Sequence, residues 1–299
     1  MIDNNYRKQV ALLIRIIPSV YRIKDFAVHG GTAINLFHKN MPRYSVDIDI
    51  TYIPIQSREE SLSTINNHLM TLKALIEKTV PGIKVIHKPA IWKLLCIKDD
   101  AIVKIEVNGT KRGIIGTVEE HLLCDKAKKE FNMECKVKTV SFSQLYGGKI
   151  TAALSRQHPR DLFDCKYMSI ESFDDVKDGF ILCLLGSDKP VIESLQPNSI
   201  DQTTALENQF KGMSDIPFTY KDYQETRQNI IKLVNNNLSD TDKQFLLSFE
   251  KGYPEWNKCH CGDLSHYPSV MWKLTNIIKL KESNPTKYKQ GVEKLQAFF

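Results

Sequence analysis

At 299 residues, with 42% apolar and 25% charged side chains, the chain has an ordinary globular composition and enough length for two domains. No apolar run approaches the roughly 20 residues that a membrane-spanning helix needs, and the polar start, Met1 to Tyr6, lacks the basic-then-apolar order of a secretory signal. Seven scattered cysteines, an odd number, argue against a disulfide scaffold, so the expected location is a reducing cytoplasm. The net charge of +6 is unevenly placed: residues 1–141 carry 22 Lys/Arg against 15 Asp/Glu, and residues 142–299 carry 19 against 20. A basic first half suits a phosphate-rich partner as well as a solvated lysine surface.

Taken in chain order, residues 5–20 predict an amphipathic helix (Val10, Leu12, Leu13, Ile16, Ile17), and Phe26 to His29 a short strand. A glycine pair follows, then a helix over Thr32 to Lys39 and a strand over Ser45 to Tyr52. Ser57 caps a long helix that Pro81-Gly82 stops near Val80. Four strand-like runs come next: Ile83–His87, Ile91–Ile97, Ile102–Val107 and Gly113–Val118, with Asp99-Asp100 as a hairpin turn. Beyond Ser141 almost everything reads as helix, with linkers at 187–201 and 213–218 and two final helices, Val270 to Glu282 and Pro285 to Phe298. Trp272, Leu274, Ile277 and Ile278 are the expected core face of the first of these two. The pattern predicts an α/β or α+β sheet domain over 1–141 and a mostly helical domain over 142–299.

The chemistry concentrates at His29-Gly30-Gly31-Thr32 and at Arg43-Tyr44-Ser45-Val46-Asp47-Ile48-Asp49. In a strand, Asp47 and Asp49 share a face with Ser45, while Val46, Ile48 and Ile50 take the other. Adjacent carboxylates repel, and a divalent cation between them relieves the repulsion; hard oxygen ligands suit Mg²⁺ (or Mn²⁺) held together with substrate phosphates. Glycines between a strand and a helix let backbone N–H groups approach a phosphate at a helix N-terminus. Glu106, on the strand-like run with Lys104 on its face, is the candidate third metal ligand, against the plainer reading of an edge-strand Lys/Glu pair facing water. Lys149 falls on the apolar stripe Phe142, Leu145, Lys149, Ala152, beside Gly148, which permits close approach; it either snorkels or neutralises phosphate charge. Asp161 and Asp164, at i and i+3 after Pro159, face the same way. Cys259-His260-Cys261 with His266 has metal-ligand residue types, but without a second pair at zinc spacing. His29, at the glycine turn, reads as structural or as a contact to a nucleotide base.

The ordered set of glycine pair, helix and Asp-x-Asp resembles the first signature of the polymerase-beta-like nucleotidyltransferases. More closely, GGTAINLFHK…RYSVDIDITY, QLYGGKITAAL and RQHPRDLFDCKYM resemble the AbiEii/AbiGii toxin family, which includes the MenT-type toxins, with a looser match over 267–299. Phe163 and Cys165 depart from the family's Arg-Asp-Leu-Tyr-Asp-Leu pattern but leave both acids in place. The resemblance implies a bilobed fold, a polymerase-beta-like sheet domain with a helical domain contributing Lys and Asp to a cleft. It implies transfer of a nucleoside monophosphate from a triphosphate to RNA, with the tRNA 3′ end as acceptor, and a toxin–antitoxin or phage-defence role with a cognate antitoxin. It implies Asp47, Asp49, Lys149 and Asp161 or Asp164 as catalytic residues, and Gly30, Gly31, Thr32, Arg43, Ser45 and Lys149 as nucleotide or phosphate contacts. Asp47, Asp49 and Glu106 are the implied metal ligands. It also marks Ser45 as the position at which an antitoxin kinase modifies MenT-type toxins. Two other readings stay open on the same motifs: a nucleotidyltransferase acting on protein or small molecules, and an inactive nucleotide- or RNA-binding module.

Overall fold

The structure, a computed structural model, describes residues 3–299, so the first two residues of the N-terminal reading lie outside it. The chain divides into two compact units, one made of the residues up to Ser141 together with Leu206–Phe218, the other of Phe142–Ala205 with Thr219–Phe299.

The first unit opens with α1 (Asn4–Tyr21), capped by the Asp3 carboxylate accepting from the Asn5 amide. Strand β1 (Phe26–His29) runs directly into helix α2, which has an α-turn over Gly30–Thr32 and continues as π-helix over Ala33–His38. The glycines thus form the helix's own first turn. The widened turn has a use for its carbonyls: Ile34 accepts from Lys39 at 2.8 Å, and Leu36 from the Cys124 amide at 2.9 Å. Strand β2 is Asp47–Tyr52, and α3 (Arg58–Thr79) starts from the Ser57 cap, as its sequence predicts. Then follow β3 (Lys84–Lys88), β4 (Lys93–Lys98), β5 (Ala101–Val107), β6 (Glu119–Leu122), α4 (Asp125–Phe131) and β7 (Lys136–Thr139).

Two strand expectations need correction. Gly113–Val118 is not a strand; Gly113 and Gly116 both adopt positive φ, 89° and 73°, which breaks extension. The strand predicted from Ser45 begins at Asp47, so Ser45 lies just outside it. The Asp99-Asp100 hairpin is present, with Asp99 at φ 51° between Lys98 and its partner Ala101.

Among the described residues, seven strands form one mixed sheet in the order β3-β4-β5-β2-β1-β7-β6. Strand β2 lies antiparallel to β1 and parallel to β5. Ile48, Ile50, Val103, Ile105 and Val107 are buried on one face, against which α1 and α3 pack; Asp47, Asp49, Lys104 and Glu106 take the other. Hydrogen bonds that join the Leu206–Phe218 segment to the rest of this unit include Asp3 N to Gly212 O at 3.0 Å, Tyr44 N to Met213 O at 2.7 Å, and Ser214 Oγ to Pro42 O at 2.7 Å.

The second unit is helical: α5 (Phe142–Arg156), α6 (Pro159–Lys166), α7 (Asp174–Leu185), α8 (Val191–Leu195), α9 (Thr203–Gln209, at the division between units), α10 (Tyr220–Asn237), α11 (Asp240–Glu250), α12 (Pro268–Ser283) and α13 (Pro285–Phe298). Helix α8 interrupts the segment expected as a linker over 187–201. Helices α5 and α7 cross at two glycines. A Cβ on Gly147 would stand 2.2 Å from Phe180 N, and one on Gly179 would stand 2.1 Å from Ser143 O. The residue that permits close approach is therefore Gly147, not Gly148, whose Cβ would meet only Cys183 Sγ at 3.3 Å. The core face of α12 differs in part from expectation: Leu274 and Ile277 are buried, with Val270, while Trp272 is 55% exposed and Ile278 is exposed too.

Candidate active site

The strand register aligns four polar residues in a row across four neighbouring strands. His29 of β1 pairs with Asp49 of β2, Asp49 with Glu106 of β5, and Glu106 with Lys93 of β4. Directly paired residues share a sheet face, so Asp49 and Glu106 are neighbours on the face that Asp47 also occupies. Strand β5 is interior to the sheet, which removes the edge-strand reading of Glu106. Its carboxylate has a counter-cation, but from an unexpected strand: Lys93 Nζ lies 2.6 Å from Glu106 Oε1. The Glu106 side chain is 41% exposed, so this pair contributes little to stability and can open at small cost.

Lys93 was legible in the sequence and was missed. Counting back and forward from the Asp99-Asp100 turn pairs Lys98 with Ala101 and, five residues on, Lys93 with Glu106. His29 is drawn into the same row by its register with Asp49.

Strand β1 ends at His29, so beyond Asp49 the neighbour of β2 is no longer a strand but the glycine turn. The fit there is close. Gly30 has φ 72°, and a Cβ on it would stand 2.6 Å from Asp49 Oδ2. A Cβ on Gly31 would stand 2.7 Å from Arg43 Nη2 and 2.9 Å from Ser45 Oγ. The glycines thus bring the opening turn of α2, whose first N–H groups have no partner within the helix, against an acid, a guanidinium and a hydroxyl. Thr32 is buried and locks the arrangement: its hydroxyl donates to Asp47 O at 2.5 Å and lies 3.0 Å from Ser45 Oγ. Arg43 is buried too, donating from Nη1 to Tyr44 O at 2.8 Å. Five of the expected phosphate contacts, Gly30, Gly31, Thr32, Arg43 and Ser45, therefore gather at one turn beside Asp47 and Asp49.

The sixth, Lys149, belongs to a separate cluster within the second unit. Its Nζ is buried, 2.9 Å from Asp161 Oδ1 and 3.0 Å from Asp164 Oδ2, and Arg156 Nη2 approaches Asp161 Oδ2 at 2.8 Å. Lys149 neither snorkels nor stands alone on its stripe: it is held between two carboxylates from the next helix. Burial by itself would raise the Asp161 carboxyl, but Lys149 and Arg156 outweigh burial and bring it down to about 2. Pro159 at the first turn of α6 and His158 capping it fix the helix that presents both acids.

The chain matches the family described as nucleotidyl transferase AbiEii toxin of a type IV toxin–antitoxin system over residues 12–276. It belongs to the AbiEii nucleotidyltransferase toxin family. Both AbiEii-like motif regions, 28–52 and 144–165, lie inside the match, while most of the looser resemblance at 267–299 lies beyond it. Among solved structures the chain is similar to MenT4, a nucleotidyltransferase toxin from Mycobacterium tuberculosis H37Rv, with a TM-score of 0.63 and 12% identity, covering 91% of this chain and 93% of that one. At that identity the likeness is one of fold. No curated protein matches the chain in sequence. As an AbiEii protein the chain is a nucleotidyltransferase toxin of a type IV toxin–antitoxin system. Among the described residues, no helix is long and apolar enough to cross a membrane.

Proposed function

We propose that this AbiEii toxin transfers a nucleoside monophosphate from a nucleoside triphosphate to the hydroxyl of an RNA acceptor, with the tRNA 3′ end as the first candidate, in the cytoplasm and under the control of a cognate antitoxin. The observation that carries the reading is the close approach of the glycine turn to the acidic strand, with Asp49 Oδ2 2.6 Å from where a Cβ on Gly30 would stand. It sets the first-turn N–H groups of α2, which have no partner within the helix, beside the face that carries both carboxylates, the combination a metal-bound phosphate requires. The donor set is all oxygen and fits Mg²⁺. Asp47 and Asp49 would hold it, and Glu106 would join by releasing Lys93. Bound there, the cation supplies Lewis-acid charge for the triphosphate oxygens.

The chain's own groups do the rest. The Gly30 and Gly31 amides bind phosphate oxygens, and Arg43 adds a fixed positive charge behind Gly31. Ser45 lies against the same turn, where a hydroxyl fits and a larger anion does not. The basic surplus of residues 1–141 supports a polyanionic acceptor. Lys149 with Asp161 or Asp164 keeps the catalytic role that the family's lysine-bearing helix implies, and this assignment is part of the proposal.

The test is to incubate the purified protein and Mg²⁺ with each α-labelled nucleoside triphosphate, total RNA and a protein lysate. Label in RNA at the tRNA 3′ end supports the proposal. Label in protein or in a small molecule assigns the acceptor differently. No label anywhere, with triphosphate still bound, points to the inactive binding module.

A further inference from the structure

A second group of ligand-type side chains lies at the other end of α2. His38 closes the π-helical segment, and Glu119 and His121 stand at i and i+2 on β6, so they share one strand face. One ligand atom from each of the three lies within 4.8 Å of the other two. The His38 and His121 rings pack at 3.9 Å between centroids, tilted by 36°. His121 Nε2 is 3.1 Å from Glu119 Oε2, and His38 Nε2 is 3.2 Å from Thr139 Oγ1. Thr139 is fully buried and orients the His38 ring, in the manner of groups behind metal-bound imidazoles.

We propose that His38, Glu119 and His121 form a binding site for a transition-metal dication, Zn²⁺ first among them, separate from the oxygen-only acidic pair. The ligand chemistry separates the two sites. Two imidazoles and one carboxylate suit Zn²⁺, whereas Mg²⁺ prefers oxygen ligands alone. Ligands about 2.0–2.1 Å from a tetrahedral zinc stand about 3.3 Å apart, so the three ligand atoms, which lie within 4.8 Å of one another, would draw together by up to about 1.5 Å on binding. The side chains of Glu119 and His121 are 34% and 27% exposed, so an ion can enter and a water can complete the shell. Geometrically the ion would tie the C-terminal end of the glycine-turn helix to β6, which is an edge strand of the sheet and only four residues long.

The experiment uses the full chain stripped of metal and titrated with Zn²⁺ and with Co²⁺, read by the Co²⁺ visible spectrum, by competition with a chromophoric chelator and by thermal melting. The expected result is one equivalent bound, an intense tetrahedral Co²⁺ band without a thiolate charge-transfer band, and a rise in melting temperature. H121Q and E119Q should each weaken binding tenfold or more, H38Q likewise, while D47N/D49N and C259S/C261S should leave Zn²⁺ affinity unchanged. H121Q, at a part-exposed position, serves as the variant expected to fold. Absence of stoichiometric binding by the wild type overturns the site. So does unchanged affinity in folded H121Q and E119Q, or a thiolate band, which would place the ion on the cysteines. None of these readouts depends on nucleotidyl transfer, so the outcome is independent of the proposed reaction.

Discussion

Gly30 and Asp49 compete for the same space: the Asp49 carboxylate lies 2.6 Å from where a Gly30 Cβ would stand, and Gly30 takes a φ of 72° that a side chain would resist. The glycine is thus required twice, for its backbone conformation and for the acid it admits. Gly30→Ala should displace Asp49 or the first turn of α2, costing about 1–3 kcal/mol of stability and lowering transfer by roughly a hundredfold or more, a loss of about 2.7 kcal/mol of transition-state stabilisation. Chemical denaturation and labelled-nucleotide transfer on the same preparation check both. Wild-type turnover in the alanine variant would separate the glycine turn from the chemistry.

Ser45 gives the second prediction. It is buried, beside Thr32 and against Gly31, so an added phosphate or carboxylate would displace the turn and stand beside Asp47. Ser45→Asp should abolish transfer and growth arrest; Ser45→Ala, which removes one hydroxyl, should keep most of both. A Ser45→Asp toxin as potent as wild type would mean that the turn is not where phosphate binds.

The Lys149 cluster makes a prediction about stability before activity. Removing the lysine leaves Asp161 and Asp164 facing each other in a buried place, and breaking such a pair costs about 3–5 kcal/mol. Lys149→Ala should therefore melt well below the wild type, and Lys149→Met/Asp164→Asn should recover part of the loss. If the double variant refolds fully and still fails to transfer, the Lys149–Asp164 pair acts in the reaction; if transfer returns with stability, the pair serves to hold α5 and α6 together.

The same cluster predicts an acid response. The Asp161 carboxyl is held down to about 2 in the folded chain, below the roughly 3.9 of an unfolded aspartate. Between those values the unfolded chain binds more protons. The contribution is therefore complete above about pH 4 and is lost as pH falls through 2, on the order of 2 kcal/mol in all. Asp161→Asn should flatten this part of the stability profile between pH 4 and 2, measured by denaturant unfolding. An unchanged slope would mean that the carboxylate is not paired in solution.

Much of this was legible in the residues, and the exceptions have physical causes. Alternation placed Asp47 and Asp49 on one face, and the Ser57 cap, Pro81-Gly82 and the Asp99-Asp100 turn marked their elements because each acts through local backbone chemistry. What depends on partners distant in sequence was not legible. The π-helical turn of α2 answers the Cys124 amide, 88 residues beyond Leu36. Short β6 and β7, four residues each, are too brief for a periodic signal, so Glu119 and His121 gave no sign of facing His38. Lys149 read as a charge on an apolar stripe because its two neutralising acids come from the next helix. Trp272 and Ile278 fit the helical period of α12 but not its packing, since Lys273, buried with its ammonium on Leu184 O at 3.0 Å and Lys189 O at 2.6 Å, takes part of the inner face.

In the proposed reaction the acidic pair at the glycine turn performs nucleotidyl transfer with a divalent cation. The most direct measurement compares wild type with Asp47→Asn and Asp49→Asn for Mg²⁺-dependent transfer of labelled nucleotide, with melting temperatures alongside. Each variant removes one of two repelling charges, so both should fold at least as stably as wild type in the absence of metal, while transfer falls to background. A folded Asp49→Asn protein that transfers nucleotide at the wild-type rate in Mg²⁺ would contradict the account.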